Sequence, residues 1–169
     1  AFNLKAAFLT ASKAPFAESV VVMHGETGDI YALAHRGVKV RKMHSSRRDA
    51  FQSINDKPLA IIYPDKGEIK VINKIYEERS RDKEPVLMNK FDDRIALLYF
   101  YPGMDPEILH YLIDKGYHGI VIAGSGLGHV SEKLIAAIER AVQEGIPVVI
   151  TTQCLFGRVD LYVYSTGRK

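Results

Sequence analysis

Between Lys42 and Asp49 the chain brings together an amine, two hydroxyls from Ser45 and Ser46, and a carboxylate, interleaved with His44, Arg47 and Arg48. An amine placed among cations loses its proton more readily, and a lysine tuned in that way can carry a proton to and from a weak nucleophile. Lys42, Ser45, Ser46 and Asp49 with the neighbouring arginines form a self-neutralising polar network richer than an ordinary turn requires. Taken by itself, the segment reads more simply as a solvated basic loop. His35, Arg36, Lys39, Arg41, Lys42, His44, Arg47 and Arg48 crowd one stretch that suits phosphate or carboxylate.

Three other groupings carry polar chemistry. Thr151, Thr152 and Cys154 follow an apolar run and would need an adjacent base to act as nucleophiles; no histidine follows them closely, so β-propensity and a small buried cysteine explain them as well. The string GSGLGH has glycines at alternate positions before a helical pattern, which suits an anion cradle. Its spacing is not that of the dinucleotide fingerprint, and a tight turn with a helix cap at Ser131 is the simpler reading. The histidines at 24, 35, 44, 110, 118 and 129 form no close pair on a helix and have no cysteine cluster beside them, so no metal is expected.

These groups need a scaffold. RIALLYFY, GIVIAG and PVVITT are continuous apolar runs separated by the helical stretches PEILHYLIDKG and SEKLIAAIERAVQEG. That alternation predicts parallel strands buried on both faces by helices, with ligands at the carboxyl ends where YPGMDP, GSGLGH and TTQC sit. Earlier, Phe2 to Ser12 has helical spacing ended by Pro15. ESVVVMHG and IYALAHRGVKVRKM flank the turn GETGD as a hairpin, KMHSSRRDAFQSIN is irregular, and LAIIYPD and EIKVINKI are two short strands around Pro64 to Gly67.

The expected fold is α/β: the end of an N-terminal α/β domain with a β-hairpin over residues 1–75, a charged linker over 76–92, and a smaller C-terminal parallel-sheet α/β domain over 93–169. The first residues begin within a helical pattern without a cap, and LYVY near the end reads as a strand with no helix after it. Both features predict a chain cut from a longer one.

At 169 residues and 47% hydrophobic the chain can bury one good core or two small ones. A net charge of +3 is too slight to announce nucleic acid. The single Cys154 excludes an internal disulfide and suits a reducing, cytoplasmic setting, and no apolar run reaches the roughly 18 residues of a membrane span.

Four ordered blocks, VRKMHSSRRDAFQSINDKPL, LLYFYPGMDPEIL, GIVIAGSGLGHV and PVVITTQCLFGRVDLYVYSTG, resemble the L-asparaginase and glutaminase family, over nearly the whole chain. HSSRRDAFQSIN and TTQCLFGRVDLYVYSTGR are most similar to the D-subunit branch of the archaeal glutamyl-tRNA(Gln) amidotransferases. The resemblance implies a two-domain enzyme in which a threonine attacks the side-chain carboxamide of glutamine and releases ammonia. It also implies a homodimer and a partner E subunit that uses ATP and Mg to transamidate Glu-tRNA(Gln), with no cofactor in this chain.

In that family two threonines, an aspartate and a lysine form the proton relay. The resemblance puts the relay lysine at Lys42 here, with Ser45, Ser46 and Asp49 expected to orient it; the glycine-rich GTGGTI-like turn and the Thr-Asp-Thr motif that hold the others do not occur in this sequence. By this reading the 169 residues alone are inactive. Some members complete each site with a loop from a neighbouring subunit, and Gly103, Met104 and Asp105 are the candidates for that loop. Two alternatives stay open: a stand-alone L-asparaginase, and a non-catalytic α/β module that binds an anion at GSGLGH.

Overall fold

The computed structural model describes residues 1–169, which form two compact units, Ala1–Val86 and Leu87–Lys169. The first starts with α1 (Phe2–Lys13), followed by β1 (Val20–His24), β2 (Ala32–Arg36), a 3₁₀ turn (Gly37–Lys39), β3 (Val40–Lys42), β4 (Phe51–Ser53), β5 (Ala60–Tyr63) and β6 (Glu68–Val71). The second contains β7 (Ile95–Tyr99), α2 (Glu107–Asp114), β8 (Gly119–Gly124), α3 (Ile135–Gln143), β9 (Val148–Thr152) and a final helical turn, α4 (Ser165–Arg168). No helix is long and apolar enough to cross a membrane.

In the first unit, β1, β2, β5 and β6 form one antiparallel sheet in that order. Ala32, Ala34, Ala60 and Ile62 are buried in one core with Ala6 of α1. The small residues let α1 pack closely on the sheet, and Thr10 inside the helix satisfies its hydroxyl by donating to the Ala6 carbonyl at 2.8 Å. Successive side chains of a strand face opposite ways, so Leu33 and His35 point away from the core shared with α1. Against that second face β2 meets β4. The sequence predicts an irregular segment from Lys42 to Asn55; instead β3 and β4 pair antiparallel, with Val40 opposite Ser53 and Lys42 opposite Phe51. Three-residue strands dominated by polar residues lack the periodicity that identifies longer ones.

The second unit is a parallel sheet in the order β7, β8, β9. Leu109, Leu112 and Ile113 of α2 and Ala137 and Ala141 of α3 share a core with Ala96, Ile120 and Ile122. Both helices therefore lie on one face. The expectation that every strand is buried on both faces is corrected here: Ile95, Leu97, Tyr99 and Val149, on the other face, are exposed. The strand expected at LYVY is also corrected, since Leu161 to Tyr164 form turns leading into α4.

Gly124 closes β8 where a side chain has no room. A Cβ there would lie 2.3 Å from the Gly128 carbonyl oxygen and 2.9 Å from the His129 amide nitrogen, both backbone atoms that a rotamer change cannot move. Gly124→Ala is expected to destabilise this unit by about 2 kcal/mol or more, the cost of forcing a packed site apart. Urea unfolding followed by circular dichroism checks this, and an unchanged midpoint would contradict it.

Candidate active-site ribbon

Lys42 lies on a two-stranded ribbon, β3 with β4, that follows β2 and precedes β5 of the main sheet. Its rungs include the Met43 amide donating to the Ala50 carbonyl at 2.6 Å and the Ile54 amide donating to the Lys39 carbonyl at 2.7 Å. Two contacts tie the ribbon to the sheet: the Gly37 amide donates to the Ser19 carbonyl at 2.9 Å, and His35 Nδ1 lies 2.8 Å from Ser53 Oγ. His35 is wholly buried, and its Nε2 has no hydrogen-bond partner. Burial away from water pushes the imidazolium form down from its ordinary value of 6.5 to about 4, so His35 is neutral near pH 7.

The loop at the tip has its own supports. His44 Nδ1 accepts from the backbone amides of Ser46 and Arg47, both at 3.1 Å, which places a proton-free nitrogen toward the loop. Arg47 grips Asp49 with two hydrogen bonds, at 2.9 and 2.6 Å, and the guanidinium holds that carboxyl below its ordinary range. Arg48 reaches back to Asp29 at 2.7 Å, and the same carboxylate oxygen accepts from His24 Nε2 at 2.8 Å. The bond from His24, followed by the field of Arg48, holds Asp29 below its ordinary range.

This geometry corrects the network expected from the sequence. Asp49 is bonded to Arg47 and not to Lys42, Ser45 and Ser46 are exposed, and neither hydroxyl bonds the Lys42 amine. The basic stretch divides in the same way. Arg36, Arg47 and Arg48 are paired with carboxylates and His35 is neutral and buried, leaving Lys39, Arg41 and Lys42 exposed without an acidic partner. The residues that hold the ribbon, Glu18, Arg36, His35, Ser53 and Asp56, lay beyond sequence reasoning. Their partners are 18 and 20 positions apart, a separation with no local signature.

In the second unit, Gly103 is left-handed with φ 86°, Met104 is buried in the core, and Asp105 Oδ1 accepts from the Glu107 amide at 3.0 Å at the start of α2. Met104 packs in the core and also lines a surface pocket with Gly103 and Asp105. In GSGLGH the amides of Gly128 and His129 both donate to the Ser125 carbonyl at 2.9 Å, so those two donors are taken up by the turn. Ser131 Oγ accepts from the Lys133 amide at 3.3 Å, as a cap does. Thr152 Oγ1 donates to the Gly126 carbonyl at 2.5 Å, and Cys154 is exposed, where a buried cysteine was expected. No group of three or more His, Cys, Asp or Glu side chains is placed to hold a metal ion.

Residues 1–77 match the family described as Asparaginase, N-terminal, and residues 94–169 match the Glutaminase/Asparaginase C-terminal domain. The chain belongs to the asparaginase/glutaminase family. Among solved structures, the thermostable L-asparaginase from Thermococcus kodakarensis is similar with a TM-score of 0.80 and 32% identity, over 98% of this chain and 47% of that one. The asparaginase-like α/β fold expected from the sequence is therefore the fold observed.

Among curated relatives, the D subunit of the glutamyl-tRNA(Gln) amidotransferase from Aeropyrum pernix is 59% identical over the whole chain, and its counterpart from Pyrococcus abyssi is 60% identical over 153 residues. The chain spans 39% and 34% of those proteins' lengths. Within the asparaginase/glutaminase family it is therefore much more similar to these amidotransferase subunits than to the solved asparaginase.

Proposed function

We propose that this chain is the lysine-bearing part of a glutaminase subunit that supplies ammonia for converting Glu-tRNA(Gln) to Gln-tRNA(Gln). Identity near 60% to amidotransferase D subunits, against 32% to the asparaginase, carries the reading. A threonine supplied from outside these residues attacks the glutamine carboxamide. Lys42 takes the proton from the relay and returns it to the departing ammonia, and water then hydrolyses the acyl-enzyme. The exposed, unpaired position of Lys42 at the end of the ribbon supports this role, because its amine is committed to no structural contact.

The ammonia passes to an E subunit, which uses ATP and Mg to activate the glutamyl-tRNA. The protein is cytoplasmic and dimeric in this reading. Gly103, Met104 and Asp105 are the candidates for the loop offered to a neighbouring site, Gly103 presenting an open left-handed turn. Ser45, Ser46 and Asp49 remain candidates to orient Lys42 when substrate is bound.

The test is ammonia release from glutamine by the full-length protein, measured beside the 169 residues alone. The expected result is turnover by the former and none by the latter, since the relay's threonines lie outside this chain. Turnover by the 169 residues would move the nucleophile to Thr152 or Cys154 and contradict the proposal. Rapid hydrolysis of asparagine with no glutamine hydrolysis and no ammonia transfer to a partner would favour a stand-alone asparaginase.

A further inference from the structure

Arg36 joins four segments of the first unit. Its Nε and Nη2 donate to the two oxygens of Glu18 at 2.5 and 2.9 Å, Nη1 donates to Asp56 at 2.6 Å, and Nη2 also reaches the Ile75 carbonyl at 2.7 Å. Asp56 is in turn held by the Asn73 side-chain amide at 2.9 Å, and Glu18 accepts the Glu77 amide at 3.2 Å. The side chains of Arg36, Glu18 and Asp56 are only 20%, 15% and 21% exposed, so this clamp is better shielded from solvent than a surface ion pair. Its bidentate form fixes direction as well as distance.

The position of the clamp in the chain gives it a consequence beyond stability. Arg36 is the last residue of β2 and Asp56 lies three residues beyond β4, so one ion pair spans the two ends of the excursion that carries Lys42. The next residue, Gly37, lies so close to Ser19 that a Cβ would meet the Ser19 carbonyl oxygen at 2.9 Å. The base is thus seated on backbone as well as on charge.

We propose that Arg36 is a positioning residue, whose pairs with Glu18 and Asp56 set the direction of the β3–β4 ribbon and through it the place of the Lys42 ammonium. This rests on the proton-relay reading of Lys42. Lys42 lies three residues beyond Lys39, where the ribbon rungs begin, which at about 3.3 Å per strand residue puts it roughly 10 Å from the base, and a swing of roughly 6° there moves it by about 1 Å. A displacement of that size in a reacting group can cost about a hundredfold in rate.

Glutamine hydrolysis by the full-length protein tests the proposal, with Arg36→Gln, Arg36→Lys, Asp56→Asn and Lys42→Ala compared per folded molecule. Arg36→Gln is expected to lower kcat about a hundredfold while KM moves less than about threefold. Arg36→Lys should recover part of the loss, and Asp56→Asn should fall between. Amide hydrogen exchange should quicken at Met43 and Ile54 in the ribbon and stay unchanged at the β2–β5 pairing. In the Lys42→Ala background, Arg36→Gln should lower the residual rate no further.

If Lys42→Ala abolishes hydrolysis while Arg36→Gln and Asp56→Asn keep the wild-type kcat per folded molecule, the positioning role is overturned and the relay stands. Should Arg36→Gln prove too unstable to assay, Arg36→Lys and Asp56→Asn decide the question in its place. A further hundredfold loss on top of Lys42→Ala would also overturn it. If Lys42→Ala leaves hydrolysis intact, the underlying functional reading fails first.

Discussion

Lys42→Ala in the full-length protein is expected to lower glutamine hydrolysis by about a thousandfold, within the span that positioned proton transfer supplies, while the fold is retained. Retention follows from the structure: the Lys42 side chain is exposed and makes no hydrogen bond or ion pair, so its removal leaves no buried group unsatisfied. The thermal midpoint should stay within about a degree or two of wild type, because surface substitutions of this kind change stability by at most about 0.5 kcal/mol. Lys42→Arg should also be poor, since a guanidinium does not release its proton in this range. Full hydrolysis by Lys42→Ala, with the same folded amount, would remove Lys42 from the relay.

The second large effect concerns acid. His35 is held neutral by burial, its imidazolium pushed from the ordinary 6.5 to about 4. Between those values the unfolded chain binds a proton that the folded chain refuses, so stability rises with pH across this window. The contribution is complete above about pH 6.5 and is lost as pH falls toward 4; the full span is worth roughly 3 kcal/mol at most.

The carboxylates held low, such as Glu18 beside Arg36 and Asp49 beside Arg47, act in a more acidic window. Their stabilisation is present above their ordinary values of 4.5 and 3.8 and is lost below them. Denaturant midpoints at pH 7.5 and pH 5 therefore lie above the carboxylate window, and the difference between wild type and His35→Gln isolates His35. Wild type should lose stability between the two, and His35→Gln should lose much less. A variant with the wild-type slope would contradict the assignment. Because His35 packs the ribbon to the sheet through Ser53, amide exchange in β4 should quicken over the same range.

Much of the architecture was legible because its signals are local. The helical spacing of Phe2 to Ser12, the hairpin of β1 and β2, the pair β5 and β6 around Pro64 to Gly67, and the alternation from β7 to β9 all follow from periodicity and turn residues. The ribbon did not announce itself, because β3 and β4 are three residues each and are joined by a polar loop. LYVY misled in the opposite direction: its β-propensity is overridden where the chain turns into α4.

The loop around Lys42 was visible as unusual chemistry, but its wiring was not. Neutralisation within the loop fell to Arg47 and Asp49, two positions apart, and left the lysine free. What holds the ribbon is long-range: Glu18, Arg36 and Asp56 are brought together only by the sheet. Sequence proximity singled out Lys42 as the candidate amine, and only the tertiary structure shows the ion pairs at the base of its ribbon.

The most direct measurement is a crystal structure of the full-length protein with a glutamine analogue bound, read at one distance. The account predicts the Lys42 Nζ within hydrogen-bonding reach, about 2.7–3.2 Å, of a threonine hydroxyl of the relay. A Lys42 ammonium standing in bulk solvent, with the relay completed by another residue, would contradict it.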